Sequence, residues 1–134
     1  GLSQMQRLDE FVTKRHAIAK RYDQLLSPLP LQVPWQHADS YSSYHLYVIR
    51  LKLDEINKTQ RQVYDTLRVG KILVNLHYIP VYRQPYYEQM GFRTGYCRLA
   101  EQYYSEVISI PMYPGLTEVL QNQVVETIRE VVGA

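Results

Sequence analysis

The protein has 134 residues, of which 46% are hydrophobic and 21% are charged, and its formal net charge is +2. This length predicts a single domain over residues 1–134, and the composition excludes a disordered chain. The lone cysteine excludes an internal disulfide framework, and no apolar run approaches the roughly 20 residues of a membrane helix. Since the start also lacks a signal-peptide pattern and no basic stripe is present, we expect a cytoplasmic protein that binds neither membranes nor nucleic acids.

The first predicted element is a long helix over residues 3–26. Ser3 and Gln6 have the spacing of a capping box, in which two side chains satisfy backbone N–H groups at the start of a helix. Apolar residues then recur at spacings of three, four and seven and form one apolar stripe. Pro28 and Pro30 end the helix, because proline lacks the backbone donor that a helix needs.

The next predicted element is a strand over residues 44–53, which follows an irregular stretch over residues 31–43. The strand is rich in β-branched and aromatic side chains. Alternate residues of a strand point to the same face. One face therefore carries His45, Tyr47, Ile49, Leu51 and Leu53.

A second helix and a second strand are predicted in the middle of the chain. Asn57 or Thr59 can cap a helix that runs to about Val69. Gly70 suits a left-handed stop after this helix, because glycine has no Cβ to clash there. The apolar residues at 72–77 then predict a second strand.

The rest of the chain is predicted to hold a long connection and three further elements. The connection spans residues 78–96, and a loop of that length is usually functional. A helix over residues 97–104, a strand over residues 107–110 and an amphipathic helix from Thr117 to about Val132 follow. The order of elements predicts an α+β fold with a small sheet covered by helices.

The sequence carries no recognisable catalytic or metal-binding motif, and its strongest chemical signal is rich in tyrosine. The chain has 13 tyrosines but only 2 phenylalanines. Residues 77–87, HYIPVYRQPYY, combine an imidazole, four phenols and a guanidinium, which suit a polyhydroxylated, anionic ligand. An equal alternative is a proline-rich surface loop whose tyrosines pack as a lid on the core.

Residues 75–87, NLHYIPVYRQPYY, resemble a segment of the DegT family of sugar-nucleotide aminotransferases. The resemblance extends to residues 1–9 (GLSQMQRLD), 44–50 (YHLYVIR) and 108–116 (ISIPMYPGL). These segments are similar to the family's interdomain helix, its first small-domain strand and its last strand. The subgroup that the chain resembles most is the UDP-4-keto-sugar aminotransferases of pseudaminic acid biosynthesis.

The sequence departs from the family pattern at three positions. Lys71 and Leu73 stand where the family has glycines around the turn into the second strand, and Arg98 stands where proline is common. These changes affect local geometry but leave the motif over residues 75–87 intact.

The resemblance implies that the chain is the C-terminal small domain of a larger enzyme, with a three- to four-stranded, mainly antiparallel sheet. The parent would use pyridoxal phosphate to transfer an amino group from glutamate to a nucleotide-linked keto-sugar, and it would be a homodimer. The cofactor's lysine and phosphate site belong to a large domain expected before Gly1, so this chain alone is expected to be inactive. The face that the large domain covers is expected to be exposed and rich in apolar and tyrosine side chains.

The resemblance also assigns residues to the substrate-side wall of the active site, and none to catalysis, cofactor binding or a metal. The assigned residues are His77, Tyr78, Tyr82 and Arg83, with His45 assigned more weakly. For His77 the alternative role is a structural cap at a strand end, and for Arg83 it is an ion pair with Glu88. Tyr86 and Tyr87 are assigned to lid packing.

A function from a different class stays open at this point. The chain can also be a self-sufficient, non-enzymatic α+β module that binds a sugar nucleotide or a protein through the tyrosine-rich loop over residues 77–87.

Overall fold

A computed structural model describes residues 2–133 of the protein, and no helix in this part of the chain is long and apolar enough to cross a bilayer. The described residues form six α-helices, three strands and one short 3₁₀ helix. In chain order these are α1 (Leu2–Met5), α2 (Leu8–Leu26), β1 (Leu31–Gln32), β2 (Tyr47–Leu51), α3 (Gln60–Val69), the 3₁₀ helix (Val81–Arg83), α4 (Pro85–Gln89), α5 (Arg98–Glu106), β3 (Val107–Ile110) and α6 (Glu118–Val132).

The three strands form one antiparallel sheet in the order β1-β2-β3. Tyr47 pairs with Ile110 and Ile49 pairs with Ile108 across the β2–β3 ladder. Tyr47, Ile49 and Leu51 are buried, as the alternation of the sequence predicted. The predicted α+β class with a mainly antiparallel sheet is therefore confirmed.

Helices α2, α3 and α6 contribute buried side chains to a core that also contains the inner face of the sheet. Two tyrosines are fully buried in it, and each hydroxyl finds an acceptor. The Tyr22 hydroxyl donates to the carbonyl of Pro111 at 3.1 Å, and the Tyr47 hydroxyl donates to the carboxylate of Asp23 at 2.5 Å. Burial raises the pKa of both phenols, and the bond to Asp23 raises that of Tyr47 further.

The predicted helix over residues 3–26 is interrupted after its first turn. Ser3 lies inside α1, so the predicted capping box of Ser3 and Gln6 is wrong. The chain turns before α2, and Arg7, the residue that precedes α2, makes no side-chain cap. The N–H of Arg7 instead bonds the carbonyl of Gln4 at 3.1 Å, which is a turn contact.

The first part of the predicted apolar stripe lies outside the core. Met5 is 71% exposed and Leu8 is 50% exposed, whereas the stripe is buried further along α2. Together with Phe11 and Pro114, these side chains line an open groove of about 580 Å³. The groove is an uncovered apolar surface of the kind expected where another domain packs.

The end of α3 differs from the prediction by one residue. Thr59 forms the predicted cap as a full capping box with Gln62. The left-handed residue after the helix is Lys71, with a φ of 63°, whereas Gly70 has a φ of −70°. The N–H of Lys71 donates to the carbonyl of Arg68 at 3.0 Å, and the N–H of Ile72 donates to the carbonyl of Leu67 at 2.9 Å. This pair of bonds is a Schellman motif.

The predicted strand over residues 72–77 is reduced to one bridge. The N–H of Val74 bonds the carbonyl of Ile72 at 3.0 Å, and this tight turn prevents a regular ladder. Only Asn75 pairs with β3, through two backbone bonds to Ser109 of 3.0 and 2.9 Å. The bridge still places the chain that follows it beside β3. The third strand of the sheet is instead β1, which lies in a stretch predicted to be irregular.

Candidate functional site

His77 lies two residues after the Asn75 bridge and contacts β3 through its side chain. Its Nδ1 is 2.8 Å from Oγ of Ser109, whose side chain belongs to a residue only 5% exposed. Its Nε2 has no hydrogen-bonding partner among residues 2–133. The ring also meets the edge of the Tyr78 ring, with 4.5 Å between the centroids. The imidazole is therefore held on one side and available on the other.

Tyr82 connects the 3₁₀ helix to the start of α5. Its hydroxyl lies 2.7 Å from Oε1 of Glu101 and 3.0 Å from the carbonyl of Cys97, and the N–H of Cys97 points back at the same oxygen at 3.3 Å. The N–H of Gly95 also donates to the Glu101 carboxylate, at 2.7 Å. The carboxylate thus ties together two ends of the loop that was predicted to be an open connection.

The same contacts shift the titration of both groups. The hydrogen bonds from Tyr82 and from the N–H of Gly95, together with the nearby Arg83 guanidinium, lower the pKa of Glu101. Partial desolvation and the bond to the carboxylate raise the pKa of Tyr82. Glu101 is therefore a carboxylate, and Tyr82 a neutral phenol, at neutral pH.

Arg83 follows Tyr82 and has an unsatisfied donor. Its Nε is buried and has no hydrogen-bonding partner within residues 2–133. The alternative ion pair with Glu88 is not formed in this part of the chain. The backbone carbonyl of Glu88 instead accepts a bond from Arg93 at 2.8 Å. A half-buried guanidinium with an unpaired donor suits an anionic ligand.

The tyrosine-rich loop over residues 77–87 packs against residues 92–96 and does not form a lid over the core. Tyr82 packs on Tyr96 at 5.3 Å, Tyr96 on Phe92 at 4.9 Å, and Phe92 on Tyr87 at 6.2 Å between ring centroids. None of these rings belongs to the main hydrophobic core. Tyr87 is half-buried in this cluster, and Tyr86 is exposed. The loop also contains α4, which the sequence did not predict.

The structure brings His77 and Tyr78 into contact and places Tyr82 and Arg83 in one turn, but it leaves His45 apart. His45 is exposed, lies two residues before β2 and makes no hydrogen bond or ring contact within residues 2–133. Tyr78 is 71% exposed. Of the predicted wall residues, His77 therefore has a defined position and an unused ring nitrogen, and Arg83 has an unpaired Nε donor.

Two residues that hold the site were missed by the sequence reasoning. The sequence predicted Ser109 only as part of a strand and Glu101 only as part of a helix. Both lie more than 15 residues from their partners His77 and Tyr82. The available signal was a single polar residue inside the apolar segment VISI, because a buried hydroxyl requires a partner.

Most lysines of the chain bond neighbouring groups, and the described residues bring no group of three candidate metal ligands together. A pyridoxal phosphate site needs a free lysine amine beside an acidic group and a phosphate cradle. The ammonium groups of Lys14, Lys52 and Lys58 bond Glu10, Glu55 and the carbonyl of Val131. No group of three or more candidate metal ligands comes together in residues 2–133. Three of the five lysines are therefore already engaged with other groups.

Comparison with known proteins identifies relatives along the whole chain. The model of the DegT/DnrJ/EryC1/StrS aminotransferase family matches residues 1–129. The spore coat polysaccharide biosynthesis protein SpsC of Bacillus subtilis (strain 168) is 32% identical over 98% of this chain and 35% of its own length. The dTDP-3-amino-3,4,6-trideoxy-alpha-D-glucose transaminase of Micromonospora megalomicea subsp. nigra is 34% identical over 94% of this chain and 34% of its own length.

The same result comes from solved structures. Helicobacter pylori PseC, an aminotransferase involved in the biosynthesis of pseudoaminic acid, superposes with a TM-score of 0.89 at 25% identity. The match covers 99% of this chain and 36% of PseC. This chain thus spans about a third of the length of the relatives that it matches. The chain belongs to the DegT/DnrJ/EryC1/StrS aminotransferase family.

Proposed function

We propose that this chain is the C-terminal small domain of an aminotransferase that transfers the amino group of glutamate to a nucleotide-linked keto-sugar for a surface polysaccharide or glycan. The observation that carries the proposal is the family match over residues 1–129. The names of two relatives support it, since one is a sugar transaminase and the other acts in polysaccharide biosynthesis. The resemblance of the sequence to the aminotransferases of pseudaminic acid biosynthesis implies a UDP-linked 4-keto-sugar as the acceptor, and the similarity to PseC supports that subgroup.

In this proposal the cofactor lies outside the chain. Pyridoxal phosphate, bound by the rest of a homodimeric enzyme, would supply the electron sink that amino transfer requires. The lysines of this chain do not supply its tether, so the chain alone is expected to be inactive. The apolar groove around Met5 and Leu8 would face the remainder of the protein, because an uncovered apolar surface of this kind marks an interface.

The role of this chain is to bind and orient the sugar nucleotide. Arg83 has a donor without a protein partner, and a guanidinium pairs well with diphosphate oxygens. His77 presents one free ring nitrogen, and Tyr78 presents an exposed phenol beside it. These three groups form the substrate wall that we propose. Tyr82 holds the wall in place through Glu101 and does not contact the ligand, since its hydroxyl is already bonded.

The test uses the full-length protein that contains this chain. Wild-type protein is expected to convert glutamate to 2-oxoglutarate in the presence of a UDP-4-keto-sugar, and mass spectrometry is expected to detect the amino-sugar product. Arg83→Gln is expected to raise KM for the sugar nucleotide about tenfold or more, as loss of a charge-assisted bond implies. Arg93→Gln is the matched control, because the Arg93 guanidinium already bonds backbone carbonyls of its own loop.

Two results would count against the proposal. Absence of amino transfer with any nucleotide keto-sugar would refute the activity. If the full-length protein has no transferase activity and residues 1–134 alone bind a UDP-sugar tightly, the self-sufficient binding module is favoured instead.

A further inference from the structure

The starting point is the single polar residue of β3. Ser109 lies between two buried isoleucines and is itself 5% exposed. Its backbone is fully used, because its N–H and its carbonyl both bond the backbone of Asn75. Its hydroxyl is a buried polar group and needs a partner of its own. Within residues 2–133, the one group that bonds this hydroxyl is Nδ1 of His77, at 2.8 Å.

The direction of this hydrogen bond follows from counting protons. A serine hydroxyl has one proton and two lone pairs, and a neutral imidazole has one nitrogen that donates and one that accepts. If Nδ1–H of His77 donated to Ser109, the buried serine proton would have no acceptor, which is costly. If the hydroxyl donates to Nδ1, its proton is satisfied and only lone pairs remain unused. The second arrangement is therefore the more stable one.

The direction of the hydrogen bond between Ser109 and His77 determines the protonation of the other ring nitrogen, Nε2. When Nδ1 accepts, the proton of the neutral imidazole resides on Nε2. Nε2 has no partner within residues 2–133, while the adjacent Tyr78 ring packs against the imidazole with 4.5 Å between centroids. The free side of His77 is thus a hydrogen-bond donor, and the group that it recognises must be an acceptor oxygen.

We propose that Ser109 is a positioning residue that holds His77 as the Nε2–H tautomer, so that His77 donates a hydrogen bond to an oxygen of the bound ligand. The tautomer depends only on the contact between the two side chains. Its role toward a ligand rests on the proposed function, in which the oxygen belongs either to the diphosphate or to the sugar of a nucleotide sugar.

The tautomer is tested by ¹⁵N NMR of the full-length protein that contains this chain, labelled at histidine alone. His77→Gln identifies the resonances of His77. Spectra are recorded in mildly alkaline solution, and the protonated and unprotonated nitrogens of a neutral imidazole are distinguished by their shifts. We expect an unprotonated Nδ1 whose shift reflects an accepted hydrogen bond. A protonated Nδ1 in the wild-type protein would overturn the inference without any variant.

Two variants of Ser109 test whether the serine is responsible. Ser109→Ala removes the hydroxyl, so the Nδ1 shift is expected to move to that of an unbonded nitrogen. Ser109→Thr retains a hydroxyl and is expected to restore the wild-type shift. An unchanged Nδ1 shift in Ser109→Ala would show that another group holds the ring, and it would refute the assignment.

The ligand role is tested by calorimetry with UDP and UDP-N-acetylglucosamine as probes. His77→Gln is expected to weaken binding about three- to tenfold, as loss of one hydrogen bond implies. An equal loss for both probes assigns the oxygen to the diphosphate, and a loss for the sugar nucleotide alone assigns it to the sugar. No loss for either probe would overturn the ligand role. If the wild-type protein binds neither probe, the UDP-linked acceptor of the proposed function is refuted, while the NMR result still decides the tautomer.

Discussion

Replacement of Lys71 by glycine is expected to stabilise the domain. Lys71 occupies the left-handed position after α3, with a φ of 63°, and its side chain is exposed. For a residue with a Cβ this conformation costs about 1–2 kcal/mol. Glycine removes that cost but loses about 0.4–1 kcal/mol more than other residues through its greater freedom in the unfolded chain. The net gain for Lys71→Gly is therefore about 0.8 kcal/mol.

The magnitude is measurable by urea unfolding of the chain, followed by circular dichroism. In thermal unfolding, a gain of this size raises Tm by about 3 °C in a domain of this length. In urea, the slope of the unfolding free energy against urea concentration is expected to stay unchanged. Lys71→Ala is the matched control, because it removes the same long side chain but keeps the Cβ. We expect Lys71→Ala to lie within about 0.5 kcal/mol of the wild type.

The result that would refute this reasoning is equal stability of Lys71→Gly and Lys71→Ala. In that case the positive φ would not carry the cost assigned to it.

Two further predictions concern the tyrosines. Tyr82→Phe removes the hydroxyl that bonds Glu101 and Cys97, so trypsin is expected to cleave after Arg93 about two- to tenfold faster, as followed by mass spectrometry. Tyr86→Phe, which alters an exposed ring, is the control, and equal cleavage rates for both variants would contradict the role of the Tyr82 hydroxyl. Burial raises the pKa of Tyr22 and Tyr47, so above about pH 10 the unfolded chain binds fewer protons than the folded one. The free energy of unfolding is therefore expected to fall by about 1.4 kcal/mol per pH unit for each tyrosine. Urea titrations of the wild type and Tyr22→Phe at several pH values check this, and an equal dependence of the unfolding free energy on pH in the two proteins would be inconsistent with it.

The sequence predicted those elements whose signals are local. Thr117 caps α6, and β3 spans residues 107–110 as expected, because a capping residue and a short apolar run act within a few positions. The capping box at Thr59 formed for the same reason. The predicted cap at Ser3 failed although its spacing was correct, since that residue lies inside α1.

The errors concern contacts that depend on distant parts of the chain. The apolar run over residues 72–77 reads as a strand, but whether it pairs depends on β3, which offers only one bridge. Two-residue β1 has no pattern of its own and exists because β2 pairs with it. The residue with left-handed backbone geometry after α3 is Lys71, and the conformational preference of lysine does not predict this geometry.

In the candidate site, too, local sequence signals predicted the segment but not the distant residues that hold its side chains. The motif over residues 75–87 located the segment, and its position beside β3 follows from the Asn75 bridge. The residues that fix its side chains, Ser109 and Glu101, come from other elements and are invisible to local reasoning. His45 was assigned to the wall more weakly, by the family resemblance, and the structure leaves it without a contact to the other wall residues.

The self-contained packing of the tyrosine-rich loop has a consequence for evolution. Because its rings pack on one another and not on the main core, substitutions there leave the sheet and its three covering helices unaltered. Selection can therefore reshape the loop for a new sugar without compromising the foldability of the domain.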